Sequence, residues 1–461
     1  MKIANTSPSP TLASFDYFKN MEINCGRTIK RFIRTMTTLA KQPGRSIAAA
    51  SSDAAEAKAI YRLLQNPKLT EERILTSYRK ETITSLKASG ESIILCVQDT
   101  TEMNYSTLAQ TQGLGEGNPW TKGLQAHSCL ALTPSGVPLG LLHQHIWARD
   151  PNQRGKRKVN RPFEEKESYK WAACAKASVE GLPENVRPIH IGDREADLFE
   201  LFFTLEAWEQ AYLIRAVQNR TTDADGQLLL DRVKEQPACV TVRTSIPRDT
   251  RRGLKARETS LEIRFLSCGI QVTEHLRKKL GNKQSLPCTI IYAKEVTPPE
   301  EGEAIEWFLL TNLPVHTPEE AVEKVRWYVQ RWKIERFHYI LKSGCEAEKL
   351  QEREADRLKK LILMYSIISV ELLHVTYLAR ETPDAPCTIV FEEHQWQVLY
   401  RIANQTTSLP KVPPTLEEAV RALAKLGGFL GRKSDGDPGV KVLWRGYRTL
   451  YTVLETYRFL L

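Results

Sequence analysis

The strongest constraint in the sequence is a change of period about a fifth of the way along the chain. Up to residue 88 apolar positions recur at helical spacing, and then SIILCVQD (Ser92 to Asp99) forms an unbroken buried-strand run. HSCLALTPSGVPLGLLHQHIWAR (His127 to Arg149) reads as two strands joined at Pro134, Ser135 and Gly136. EEKESYKWAACAKASVE (Glu164 to Glu180) is helical, VRPIHIGD (Val186 to Asp193) returns to strand, a helix follows from about Ala196 to Ala207, and AYLIRAV (Ala211 to Val217) is a further strand. Strands alternating with helices specify an α/β sheet covered by helices. Ligand sites in open sheets of this kind lie at the carboxyl ends of strands. Asp99 and Asp193 each end a run of this kind.

The order of strand, hairpin, helix, strand, helix, strand is similar to the RNase H-like arrangement. The next block, roughly 219 to 312, carries β-like runs (ACVTVRTSI, SLEIRFL, CTIIYAKEV, EWFLLTNL) interspersed with Arg243, Arg248, Arg251, Arg252, Lys255, Arg257, Arg277, Lys278 and Lys279, and reads as a basic β insertion. Beyond it, one helix is expected from Pro318 to Ser343 and a second from about Asp356 to Arg380, with a boundary in the Pro-containing stretch from Thr382 to Cys387. Thr415 and Glu418 form a T-x-x-E capping box, and a final helix from about Val440 repeats Leu443, Tyr447, Leu450, Leu454 and Tyr457 at helical spacing.

At 461 residues and 41% hydrophobic composition the chain buries a substantial core and is no disordered tail. Its formal charge of +10 suggests a polyanionic partner, nucleic acid or an anionic surface. Charge is concentrated near the start: six basic residues (Arg27, Lys30, Arg31, Arg34, Lys41, Arg45) and no acid stand between Arg27 and Ser52, within a helical pattern. A helix starting near Ser52 and another from Thr70 to Leu86 complete a small basic module. The nine cysteines include no C-x-x-C pair, so neither a zinc site nor a disulfide framework is indicated, and a reducing cytoplasm fits best. MKIANTSPSPTLASF lacks an apolar core of signal-peptide length, and the apolar run Leu361 to Val370 is too short to span a bilayer.

In YVQRWKIERFHYILK, Tyr328, Arg331, Glu335 and Lys342 have offsets of 3, 7 and 14 residues from Tyr328. On one α-helix these fall within an arc of roughly 60°. Singly, Asp99 and Asp193 are explained by a turn or a helix cap, and Glu335 by pairing with Arg331 one turn away. Together the three carboxylates make sense as hard oxygen ligands for two Mg²⁺ or Mn²⁺ ions, with phosphate-binding groups beside them.

Tyr328, Arg331, Glu335 and Lys342 fit Y-x2-R-x3-E-x6-K, and with GDREAD (Gly192 to Asp197) and QDTT (Gln98 to Thr101) the chain resembles the cut-and-paste DDE transposases of bacterial insertion sequences, in their Tn-five-like branch. YRLLQNP (Tyr61 to Pro67), GLLHQHIW, EKESYKW, ALAKLGGF and VLWRGY extend the resemblance over nearly the whole chain. It implies a helical DNA-binding domain at 1–88, an RNase H-like catalytic domain at 89–381 with a β insertion at about 219–312, and a C-terminal dimerisation domain at 382–461.

By the same resemblance Asp99, Asp193 and Glu335 would hold two Mg²⁺ or Mn²⁺ ions. Water would release a 3′ hydroxyl at each element end, a hairpin would form and open, and the 3′ ends would join target DNA. Trp307 would stack on a flipped base. Arg215, Tyr328, Arg331 and Lys342 would hold backbone, and Arg27, Lys30, Lys41 and Arg62 would bind the end. Partners would be the terminal inverted repeats, target DNA and a second copy of the chain, without membrane. The alternatives are a nuclease or resolvase on the same fold and a catalytically silent end-binding regulator. The stretch Asn24, Cys25, Gly26, Arg27 keeps one arginine where relatives carry a G-D-x-R-R-like entry. The basic loop Arg154 to Arg161 reads as phosphate-contacting or merely solvated.

Overall fold

The computed structural model describes residues 15–42, 44–118, 120–150, 161–223, 226–246, 257–278, 282–299, 303–432 and 435–458. Most of the basic loop Arg154 to Arg161, with Arg248, Arg251, Arg252, Lys255 and Lys279, lies outside these residues.

The first region is helical: α1 (Gly26–Lys41), α2 (Ile47–Ala50), α3 (Ala54–Leu64) and α4 (Glu71–Ser89). Ser46, Asp53 and Thr70 start the last three, each side chain accepting a hydrogen bond from the third amide of the helix that follows. Gly90, at φ +70°, stops α4, a left-handed position that glycine takes without a Cβ penalty. α1 turns Phe32, Met36 and Leu39 inward, and Phe18 meets Phe32 edge-on at 4.8 Å.

The middle of the chain supplies β1 (Ile93–Asn104), β2 (Gly115–Glu116), β3 (Lys122–Leu132), β4 (Pro138–Trp147), α5 (Lys170–Ser178), β5 (Arg187–Gly192), α6 (Phe199–Ala207), β6 (Ala211–Arg215), α7 (Leu229–Glu235), β7 (Val240–Ile246), β8 (Arg257–Gln271), α8 (Glu274–Arg277), β9 (Ser285–Glu295) and β10 (Glu306–Thr311). Its strands form one ten-stranded mixed sheet in the order β2-β3-β1-β5-β6-β10-β9-β8-β7, with β4 beside β3. β1, β5 and β6 run parallel. Alternate residues of β1 are buried on both faces, as a parallel strand between helical layers requires. Leu95 and Val97 share one core cluster with Leu361 and Ile368, whereas Ile94 and Cys96 pack with Cys174 of α5 on the other face.

Three expectations change here. β1 does not stop at Asp99 but runs on to Asn104. Its pairing with β5 ends at Val97 and Ile191, and from there only β3 accompanies it, with Asp99 opposite Ser128. Asp99 therefore still stands just past the carboxyl end of the parallel pair. The β-like runs of 219–312 do not interrupt the sheet; β10 pairs with β6, Leu309 opposite Arg215, and β9, β8 and β7 continue outward. Without β10, β6 would present an unpaired edge.

The third change concerns the helix expected from Pro318 to Ser343. α9 (Pro318–Val329) begins on a capping box of Thr317 and Glu320, and α10 (Trp332–Tyr339) follows after a tightened turn. There the amides of Gln330, Arg331, Lys333 and Ile334 each bond the carbonyl three residues back. A π turn, Ile340–Gly344, then ends α10. Three residues per turn at one end and a wider turn at the other shift the stripe read at uniform helical spacing.

The last region holds α11 (Ala355–Glu381), α12 (Glu393–Asn404), α13 (Leu416–Leu426) and α14 (Val440–Arg458). The Thr415–Glu418 capping box starts α13 as expected. Among the described residues α11 is long and apolar enough to cross a membrane, but 83% of its most apolar window is buried inside the molecule.

Candidate active site

Asp193 follows β5 directly and caps the short turn Arg194–Ala196, its Oδ1 accepting the Glu195 amide at 2.9 Å. The other acids of GDREAD are occupied elsewhere. Glu195 pairs with Lys170 at 2.5 Å, and Asp197, fully buried, pairs with Arg220 at 2.6 Å and accepts the amides of Val217 and Gln218. Asp193 is left facing Asp99, whose carboxyl burial and then the Asp193 charge push up to about 7, Glu335 adding in the same direction. Two carboxylates remote in sequence, Asp193 and Glu335, therefore both bear on Asp99.

Arg331, in the tightened turn, donates to the Glu335 carboxylate, and its charge opposes the rise at Asp99. Burial works against the Arg331 charge, but Tyr328 and Glu335 outweigh it and hold the guanidinium protonated. Arg215, at the end of β6, donates to the Glu306 carbonyl at 3.1 Å and to Tyr328, and burial with Arg194 and Arg331 nearby lowers its pKa. Trp307 meets the Tyr328 ring edge-on at 5.3 Å. The structure thus brings Asp99, Asp193, Glu335, Tyr328, Arg331, Arg215 and Trp307 to one place.

Lys342 is set apart by the π turn. It pairs with Glu348 at 3.5 Å, and Glu348 accepts the amide of Asn104 at the far end of β1. In the helical region Arg27, Lys30 and Arg62 are exposed and Lys41 is half-buried. Arg62 lines an open cleft of about 740 Å³ along α3 with Lys58, Tyr61 and Gln65.

Two groups escaped the sequence reading. His338 Nδ1 lies 3.9 Å from Asp99 Oδ2, and its place three residues after Glu335, on the same helical face, was the signal. His127 is fully buried edge-on to Trp171 and joins the Thr100 hydroxyl to the Gln98 side chain, so a hydrogen-bonded chain braces β1 on both sides of Asp99. Nothing in the local sequence pairs His127 with β1.

The carboxylates suit a divalent cation in donor type, being hard oxygens, and in charge, since Asp193 and Glu335 add negative charge at the buried Asp99 carboxyl. As they stand, among the described residues, no three His, Cys, Asp or Glu side chains are grouped so as to hold a metal.

Two family models match the chain at the regions flanking this site. A transposase DNA-binding domain matches residues 15–69, and the Tn5 transposase dimerisation domain matches residues 367–460. These two matches, on the helical regions that flank one large mixed sheet, support a DNA transposase. They support a Tn5-like insertion-sequence transposase, with DNA binding and homodimer formation.

Proposed function

We propose that the chain binds the inverted ends of its element, cuts them through hydrolysis and a hairpin, and joins the 3′ ends to target DNA, acting from an RNase H-like core in the bacterial cytoplasm. The observation that carries this reading is the placement of Asp99 and Asp193 just past the carboxyl ends of the parallel strands, where Asp193 and Glu335 both raise the Asp99 carboxyl, between the two matched regions. Domains at 1–88, 89–381 and 382–461 would divide end binding, chemistry and dimerisation.

Asp99, Asp193 and Glu335 would hold two Mg²⁺ or Mn²⁺ ions, which supply activation of an attacking oxygen and stabilisation of a leaving one. The remaining work falls to the chain's own groups. Arg331 and Arg215 present guanidinium forks to a phosphodiester, with Tyr328 locking both in place. Trp307, packed edge-on against Tyr328, offers an indole for an unstacked base. Lys342 would meet the backbone farther along β1. Arg27, Lys30, Lys41 and Arg62 would bind the terminal repeat.

Incubating the protein with Mg²⁺ and a plasmid carrying its flanking inverted repeats tests this directly. Excision followed by insertion supports it. Cutting alone indicates a nuclease, and retarded but uncut DNA an end-binding regulator.

A further inference from the structure

A second concentration of positive charge lies away from the carboxylates, where the two ends of the chain meet. Gln42 and Arg45, just past the end of α1, line a cleft of about 260 Å³ together with Arg445, Arg448, Thr449 and Thr452 of α14. Spacings of three and four residues place these α14 positions on one helical face. The opposite face, including Leu443, Tyr447, Leu450 and Leu454, is buried in the core. Three of the lining residues are arginines and none is acidic. Among the described residues no carboxylate pairs with Arg45, Arg445 or Arg448, although Arg380 and Arg421 in the same region both reach Asp437.

Guanidinium groups gathered without a counter-charge repel one another, and an anion with several acceptor oxygens relieves that repulsion while matching their planar forks. The positive strip also continues along α1, since Lys41 Nζ stands 5.8 Å from the ring of Tyr451 on α14. Lys41 and Arg45 belong to the stretch matched by the DNA-binding model, and α14 to the stretch matched by the dimerisation model.

We propose that this cleft takes a backbone phosphate of duplex DNA, gripped by Arg45 from one region and by Arg445 and Arg448 from the other. α14 then belongs to the DNA interface, and bound DNA ties the two ends of the chain together. A phosphate contact of this kind fixes register without reading sequence. The inference rests on the reading of the chain as a DNA-binding transposase and extends it.

The test uses the full chain and the double variant Arg445→Gln/Arg448→Gln, with Arg45→Gln as a second variant from the other wall of the cleft should the first fold poorly. Thermal unfolding with pyrophosphate against chloride at equal ionic strength reports the anion site without DNA. Binding to a mixed-sequence duplex over a salt series reports the source. The expected result is a pyrophosphate-dependent rise in Tm that the variants lack, and weaker duplex binding whose log–log salt slope is shallower by about 0.9, one phosphate's worth. An equal rise in Tm for all proteins overturns the site. A rise confined to wild type with unchanged duplex affinity and slope overturns the DNA assignment in favour of a free anion. Failure of the wider reading looks different: wild-type protein would bind duplex with the full slope yet neither cut nor join it.

Discussion

The hydroxyl of Tyr17 donates to the carboxylate of Glu371 over 2.6 Å, although 354 residues separate them in the chain. This contact fastens the start of the described chain to α11, a largely buried helix. Burial pushes the Glu371 carboxyl from its usual 4.5 up to about 8, with the Tyr17 hydrogen bond pulling the other way. A raised carboxyl pKa means the folded protein holds a proton that the unfolded chain has released, so stability is greatest below pH 4.5 for this group and falls as pH rises toward about 8. Denaturant unfolding across that range is expected to lose a few kcal/mol in wild type, and Glu371→Gln to flatten the slope. Tyr17→Phe, which leaves the buried carboxyl without its donor, should cost about 1–3 kcal/mol.

The two aspartates of GDREAD should separate cleanly. Asp193→Asn keeps an acceptor for the Glu195 amide and is expected to change stability by less than about 0.5 kcal/mol while abolishing DNA cleavage. Asp197→Ala strands the largely buried Arg220 and should cost about 3–5 kcal/mol. Chemical denaturation beside a plasmid-nicking assay distinguishes the two outcomes.

α13 and α14 approach so closely that backbone meets backbone. A Cβ on Gly446 would lie 1.8 Å from the Leu423 carbonyl oxygen, and one on Gly427 1.8 Å from that of Val442. Gly446→Ala is therefore expected to cost about 1–3 kcal/mol through forced separation of the helices. Because both lie in the stretch matched by the dimerisation model, sedimentation analysis should show weakened self-association alongside the lower Tm.

Trp307 shares its edge-on contact with Tyr328 and so sits beside the candidate carboxylates. Stacking of a base on an aromatic is worth about 1–3 kcal/mol, so Trp307→Ala should slow hairpin formation about tenfold or more and leave initial nicking largely intact. Denaturing gel analysis of nicked, hairpin and open ends over time measures both steps.

Much of the architecture could be read from residue pattern where local rules govern. The capping side chains Asp53, Thr70 and Thr415 start helices where the sequence indicates. α12 passed unread because its capping box uses Glu392 and Gln395 rather than a serine or threonine start. Uniform helical spacing around Tyr328 does not encode the tightened turn at Arg331 or the π turn at Lys342, which depend on tertiary packing. The continuity of β10 with β6 was likewise invisible, since strand partners are set by contacts remote in sequence. At the site, the acids and the Tyr328–Arg331–Glu335 group were legible as residue types, but His127 and His338 became apparent only once β1 and α10 were placed beside them.

The most direct test of the account is Mn²⁺ binding itself, followed by calorimetry or electron paramagnetic resonance on the DNA-bound protein. Wild type should take up Mn²⁺, and Asp99→Asn, Asp193→Asn and Glu335→Gln should each weaken that uptake at least about tenfold, a loss of about 1.4 kcal/mol. Binding that is the same in all four proteins would contradict the assignment of these carboxylates.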